Sequence, residues 1–449
     1  MIARYGNLLG MNPNTPHNSR KHKKAADGRR QRARQAARHS YKTSQKVVLS
    51  TVAVCALALC VMLASVISIG IRRPGSTTRQ TANASTELDS SRASNPPSSF
   101  TFVGVGDNFL QDAIFIYHEM MTGSRDYLPI FENTLPYTQN ADLSYINMET
   151  VCGGDAYGLS GDPAYNGPLE MINTLQAAGF DWLSLASDHS LDLGDDPLKN
   201  EINYTNTTFP DIATTGAFQS LADAEKPVVR DVNGIRVGLI SFTSNLGTGM
   251  RPNGEDWLVD LYRNADGSVN YDLMKKRIEA AKDESDVQIV SLQWGDEFST
   301  EVNQEQRTIA KFLSEQGVDV IIGTNPHVIQ PVEFIHNGDR DTLVYYSLGT
   351  FLSALDNQES MVGGMASFTL HYNFYNGKVS FDNVKFIPTI VYMSPDLTTF
   401  RTTTISEYTD EMAANQYIAQ FGLDTSKGWI NEFVRGVLGS PKGIEVVTG

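Results

Sequence analysis

Residues 178–194 read AGFDWLSLASDHSLDLG, and this stretch sets the reading of the whole chain. Gly179 is a helix stop. The apolar run through Trp182, Leu183 and Leu185 then predicts a buried strand. The strand delivers Ser187, Asp188 and His189, with Asp192 three residues on. A carboxylate beside an imidazole at the carboxyl end of a strand is where open α/β sheets place their chemistry. The plainer alternative is an Asp capping the next helix beside an incidental His.

Outward from this stretch the same pattern recurs. Apolar runs at Phe102–Val105, Leu143–Asn147, Arg236–Phe242, Val287–Leu292, Val318–Ile322 and Leu343–Leu348 predict six further strands. Helical patterns at Asp272–Glu284 and Gln304–Glu315 lie between them, and strands alternating with helices indicate an α/β protein. From about Gly364 the pattern turns to period-2 alternation around Asn376-Gly377, a hairpin signal. Ser406–Leu438 reads as helical and peripheral. The expected fold is mixed β-sheets sandwiched by helices, in residues 100–449.

The net charge of −15 over 449 residues conceals unlike parts. Residues 1–46 hold twelve Lys or Arg and one acid, Asp27, and read as a disordered basic tail. Val47–Ile71 is a run of 25 residues without a charge, more than the roughly 20 that cross a bilayer. The basic flank precedes it, so the expectation is a single transmembrane signal anchor with the N-terminus cytoplasmic and the body extracellular. Residues 72–99, rich in Ser, Thr, Asn and Pro, read as a flexible linker. From residue 74 onward 22 basic residues face 50 acidic ones, a net of −28. Such a body excludes unassisted nucleic-acid binding and makes any anionic substrate depend on a local cation. Cys152 stands alone outside the span, so no internal disulfide is available, and it reads as a partly buried small residue.

Asp107, Glu149, Asp188, His189 and His327 all fall just after apolar runs, so one end of the sheet can gather them. Each alone has a plain explanation as a turn, surface or packing residue. Three carboxylates in one cleft raise one another's pKa, and a divalent cation relieves that repulsion while supplying Lewis-acid chemistry.

These residues resemble the CapA-type family of poly-γ-glutamate capsule synthesis proteins, distant relatives of calcineurin-like metallophosphoesterases. The resemblance spans about Phe100 to Leu352. It rests on Gly106-Asp107, Asn147-Met148-Glu149, AGFDWLSLASDHSLDLG, QWGDEF at Gln293–Phe298, GTNPHVIQPVEF at Gly323–Phe334 and YYSLGTFL at Tyr345–Leu352. It implies a metallophosphoesterase-like fold, Asp107, Glu149 and His327 as metal ligands, Asp188 in the place of a ligand Asn, and His189 as proton donor. Gln293 and Asn325 stand where the family pattern has His, and Asp188 where it has Asn. Oxygen thus replaces nitrogen around the metal, which favours Mg²⁺ or Mn²⁺ over Zn²⁺. The implied role is a membrane-anchored envelope protein acting on an anionic γ-glutamyl polymer, alone or within a polymer synthase complex. Metal-dependent phosphoester hydrolysis and a non-catalytic scaffold are the alternatives, and the two replaced imidazoles leave the enzymatic activity open.

Overall fold

The computed structural model describes residues 96–449, which form one compact unit. The expected basic tail (1–46) and transmembrane anchor (47–71) lie outside the described residues, as does most of the 72–99 linker. Among the described residues no helix is long and apolar enough to cross a membrane.

Among those residues, fifteen strands form two mixed sheets. In chain order they are β1 (Ser98–Asn108), β2 (Leu143–Met148), β3 (Trp182–Ser184), β4 (Ala213–Thr215), β5 (Val228–Val232), β6 (Ile235–Thr243), β7 (Val287–Gln293) and β8 (Val320–Thr324). Then follow β9 (Val332–Asn337), β10 (Arg340–Tyr345), β11 (Thr350–Leu352), β12 (Val362–Asn373), β13 (Lys378–Met393), β14 (Phe400–Thr404) and β15 (Glu445–Val446). The first sheet runs β14-β13-β12-β1-β2-β3-β4, with β11 on β1 and β15 on β13; the second runs β5-β6-β7-β8-β10-β9. Strands β1 to β4 are mutually parallel, as are β6, β7, β8 and β10.

The second sheet shows why such sequences alternate without becoming polar. Leu239, Ile289, Val320 and Ile322 join one continuous core with Phe102, Tyr145 and Trp182 of the first sheet. Their strand neighbours Ile240, Val290 and Ile321 point the other way, onto Met274 and Ile278 of helix α4 (Tyr271–Glu284) and Ile309 and Leu313 of helix α5 (Gln304–Glu315). Both faces are covered, as parallel strands require. Between the sheets, hydroxyl pairs Tyr145–Ser291 and Thr215–Ser241 are each 2.5 Å apart and buried. Helices α1 (Asp112–Thr122), α2 (Glu170–Ala177) and α3 (Asp195–Thr208) send Ile114, Leu175 and Ile202 into the larger core.

Four expectations are corrected. Ser98 and Ser99, read as linker, already pair with Tyr372 and His371, because β12 is long enough to extend the ladder to them. The run Leu343–Leu348 does not form one strand. It leaves the second sheet after Tyr345 and reaches β11 of the first, with Leu348 N–H bonding Gly323 O on the way. Ser406–Leu438 is not one helical stretch. Separate caps at Thr409 and Ser426 start a short helix at Asp410–Ala414 and helix α6 at Lys427–Leu438. Cys152 is fully rather than partly buried.

The crossing chain presses against β1. Asp107 N–H bonds Gly349 O at 2.9 Å, and a Cβ on Gly106 would sit 1.9 Å from that same oxygen. Gly106→Ala should therefore cost about 3 kcal/mol or more, since backbone rather than a flexible side chain must move. Urea denaturation measures it, and a loss below about 1 kcal/mol would contradict the packing described.

Candidate metal centre

The parallel strands of both sheets end at one edge, and the polar residues cluster there. Asp107 lies at the end of β1, Glu149 follows β2, and Asp188 and His189 lie in the turn after β3. From the second sheet come Thr243 at the end of β6, Gln293 at the end of β7, and Asn325 and His327 after β8. All seven residues expected from the sequence meet here, and none is left on another face.

Hydrogen bonds link six of them, all but His189, in a chain. His327 Nδ1 is 2.9 Å from Asp107 Oδ2, so a proton on that nitrogen is donated to the carboxylate. Asn147 Nδ2 donates to Asp107 Oδ1 at 2.9 Å and to Glu149 Oε2 at 2.8 Å. Gln293 Nε2 donates to Asp188 Oδ1 and to Asn325 Oδ1, both at 2.7 Å, and at 3.4 Å to Glu149 Oε1. The Thr243 hydroxyl donates to Gln293 Oε1 at 2.6 Å and so fixes which way that amide points. Ligating atoms of Glu149, Asp188 and His189 lie within 4.8 Å of one another.

The electrostatics are one-sided. Asp107 and Glu149 are fully buried and Asp188 nearly so. Among the described residues no Lys or Arg pairs with any of the three. Burial, then the charges of Asp107 and Asp188, push the Glu149 carboxyl well above its ordinary range. The backbone is strained at the same place: Asn325 (φ 89°) and His327 (φ 57°) both occupy the left-handed region. For non-glycine residues each such position costs about 1–3 kcal/mol, a strain typical of ligand sites.

His189 is held by a second set of contacts. Its Nδ1 is 2.9 Å from Asp192 Oδ2, which also accepts the Tyr165 N–H. Burial disfavours the imidazolium, but the Asp192 bond and the charges of Asp188 and Asp192 outweigh it, so its pKa is raised. Asp192→Asn should lower that pKa, read by NMR titration of the ring; an unchanged value would assign the shift elsewhere. Phe109 stacks between His189 (5.4 Å, 21°) and His327 (5.3 Å, 13°) and fixes the spacing of the two imidazoles.

Sequence reasoning gave no role to Asn147, Thr243 or Phe109. Asn147 carried a signal, since its period-2 spacing to Glu149 puts both side chains on one side. Thr243 carried none, because its partner is 50 residues away.

A sequence model of the family described as bacterial capsule synthesis protein PGA_cap matches residues 101–355. The chain is 30% identical over 248 residues to the PGA biosynthesis protein CapA of Bacillus subtilis (strain 168), covering 54% of this chain and 57% of that protein. It is 30% identical over 231 residues to the capsule biosynthesis protein CapA of Bacillus anthracis, covering 50% and 53% respectively. The chain thus spans little more than half the length of these curated relatives. Among solved structures it is similar to a novel phosphatase of Mycoplasma pneumoniae, at TM-score 0.39, 13% identity, 66% of this chain and 94% of the other. A hypothetical protein of Thermus thermophilus gives TM-score 0.36, 14% identity, 63% and 98%. At these TM-scores the likeness carries no argument.

Proposed function

The chain belongs to the bacterial capsule synthesis protein family PGA_cap, and on that premise we propose that it handles an anionic γ-glutamyl polymer at the cell envelope through one divalent cation. The observation that carries the reading is the set of three buried carboxylates, Asp107, Glu149 and Asp188, without a Lys or Arg partner among the described residues. Such a set fits a cation, because paired burial of like charges is costly otherwise.

Glu149 and Asp188 would hold it, with Asn325 Oδ1 and the Asp107–His327 pair beside them. The oxygen-rich donors favour Mn²⁺ or Mg²⁺ over Zn²⁺. When bound, the cation supplies Lewis-acid polarisation of a carbonyl oxygen. Gln293 already supplies an N–H dipole to Asp188 and Asn325, which takes the place of a second positive centre. Asp192 occupies His189 Nδ1, leaving Nε2 to give a proton to a departing amine. In the same proposal residues 47–71 anchor the chain in the membrane with the folded unit outside, and the fold is a metallophosphoesterase relative put to polymer chemistry within a synthase complex.

A second reading, phosphoester hydrolysis with His189 as the acid, is favoured by the raised His189 pKa alone. The test uses the full chain in detergent. Binding of a γ-linked glutamate oligomer that needs Mn²⁺ and is lost in Asp188→Ala is expected. Oligomer binding unaffected by chelator would overturn the cation's part. Turnover of a generic phosphoester without oligomer binding would favour the second reading, and no cation binding at all would leave the scaffold.

A further inference from the structure

An anionic chain drawn to this edge meets more negative charge than the cation neutralises. The loop that follows β6 offers the missing complement. Residues 244–263 run out from the edge and return, with Leu261 bridging back to Thr243. Between the two limbs lies an open cleft of about 420 Å³, lined among others by Ser244, Asn245, Met250, Arg251 and Arg263. That volume is within the roughly 300–1,000 Å³ usual for ligand sites.

Two contacts join the cleft to the acidic cluster. Ser244 N–H bonds Gln293 O at 2.9 Å, immediately after Thr243 has bonded the Gln293 side chain. Gly247 packs on the turn after β3, where a Cβ would meet Asp188 O at 2.9 Å. The cleft therefore lies beside Gln293 and the backbone of Asp188, one of the residues that would hold the cation.

Its two guanidinium groups are not equivalent. Arg263 forks onto Glu305, with nitrogens 2.6 and 3.1 Å from the carboxylate oxygens, so its charge is largely matched. Arg251 is held instead by main-chain carbonyls, those of Asp256 at 2.7 Å and Val259 at 3.2 Å. Of its acidic neighbours, Asp256 is 3.5 Å away on a side chain 90% exposed, and the buried Asp260 is already matched by Arg277 at 2.6 Å. Water screens the pair with Asp256, leaving Arg251 as a fixed positive charge with capacity to spare. Beside it the Asn245 amide donates to Ser244 Oγ at 3.1 Å, which holds this side of the cleft in place. Both main-chain bonds of Arg251 use one terminal nitrogen, and a guanidinium whose other N–H groups remain suits a carboxylate.

We propose that this cleft is a carboxylate subsite, seating through Arg251 a pendant carboxylate of the polymer whose backbone lies over the acidic cluster. The assignment rests on the polymer reading above and specifies it: the ligand carries a free carboxylate near the amide that is handled. An ester or amide at that position, being uncharged, is rejected.

The experiment measures affinity of the full chain in detergent, with Mn²⁺, for a γ-linked glutamate oligomer, the same oligomer esterified at its pendant carboxylates, and inorganic phosphate. Arg251→Gln removes the charge while keeping a polar side chain. Met250→Glu places a negative charge at the rim on a residue 82% exposed, where folding is indifferent to it. Both should weaken the free oligomer by at least about tenfold, with Mn²⁺ affinity unchanged, and the esterified oligomer should bind as weakly to the wild type. Wild-type affinity in both variants, or equal binding of the ester, would overturn the subsite and leave the polymer reading intact. No oligomer binding by the wild type would overturn both. Phosphate binding that is lost in Arg251→Gln while the oligomer is ignored would reassign the cleft to phosphate.

Discussion

Glu149→Gln should abolish measurable stabilisation by Mn²⁺ or Mg²⁺, lowering cation affinity by about a hundredfold or more. Glu149 is a carboxylate strongly desolvated by the fold, held by Asn147 Nδ2 on one oxygen and reached by Gln293 Nε2 on the other. Glutamine fills the same space but carries no charge. A cation present at about a hundred times its Kd stabilises a folded protein by about 2.7 kcal/mol, so the wild type should show that increment and the variant should not. The pH dependence has a definite sign. The folded-state pKa of Glu149 is raised, so its contribution to stability is complete at acid pH and is lost as pH rises through that pKa. Proton and cation compete for the same oxygens, so the cation's increment should grow as pH rises. Thermal unfolding of the full chain with and without Mn²⁺ reads both effects. An equal increment in wild type and variant would remove Glu149 from the ligand set.

The second large effect lies away from the site. Glu201 on α3 is fully buried; its Oε2 accepts the Cys152 N–H at 2.9 Å and its Oε1 has no partner among the described residues. No basic group among them offsets its charge, and burial pushes its carboxyl up to about 8 from 4.5. With the folded-state pKa above the unfolded one, the contribution of Glu201 to stability is fully present below about pH 4.5 and is lost as pH rises to about 8. At 1.36 kcal/mol per unit this amounts to something on the order of 5 kcal/mol. Glu201→Gln copies the neutral acid and should remove this decline. Urea midpoints measured across that pH range should coincide at the acid end and separate in favour of the variant at the other. Parallel curves would show that Glu201 does not titrate as described.

Comparing expectation with structure separates two kinds of information. The strands at 102–105, 143–147, 236–242 and 287–292 were legible because each is a short apolar run closed by polar residues. The brief strands β4 and β5 were not: three residues at Ala213–Thr215 and the half-exposed Val228–Val232 have too little periodicity to register. Strand β9 was missed although Asn337-Gly338 marks its turn, because its outer half is largely exposed. The site was legible in its residues but not in its wiring. Asp107, Glu149, Asp188, His189, Gln293, Asn325 and His327 each lie at or just past the end of a strand, and parallel strands end on one side. Nothing local could reveal that Thr243 orients Gln293, or that Phe109 separates the two imidazoles.

The amino-acid order alone determined most of the buried strands, that their polar ends can fall on a common edge, and that the chain from residue 74 carries a net charge of −28. These follow from periodicity and composition, which act over a few residues. Only the tertiary structure decided how the strands divide between the two sheets, that their edges meet at one polar cluster, and that Arg251 lies beside it. Such juxtapositions depend on packing between segments dozens to more than two hundred residues apart, which no local pattern encodes.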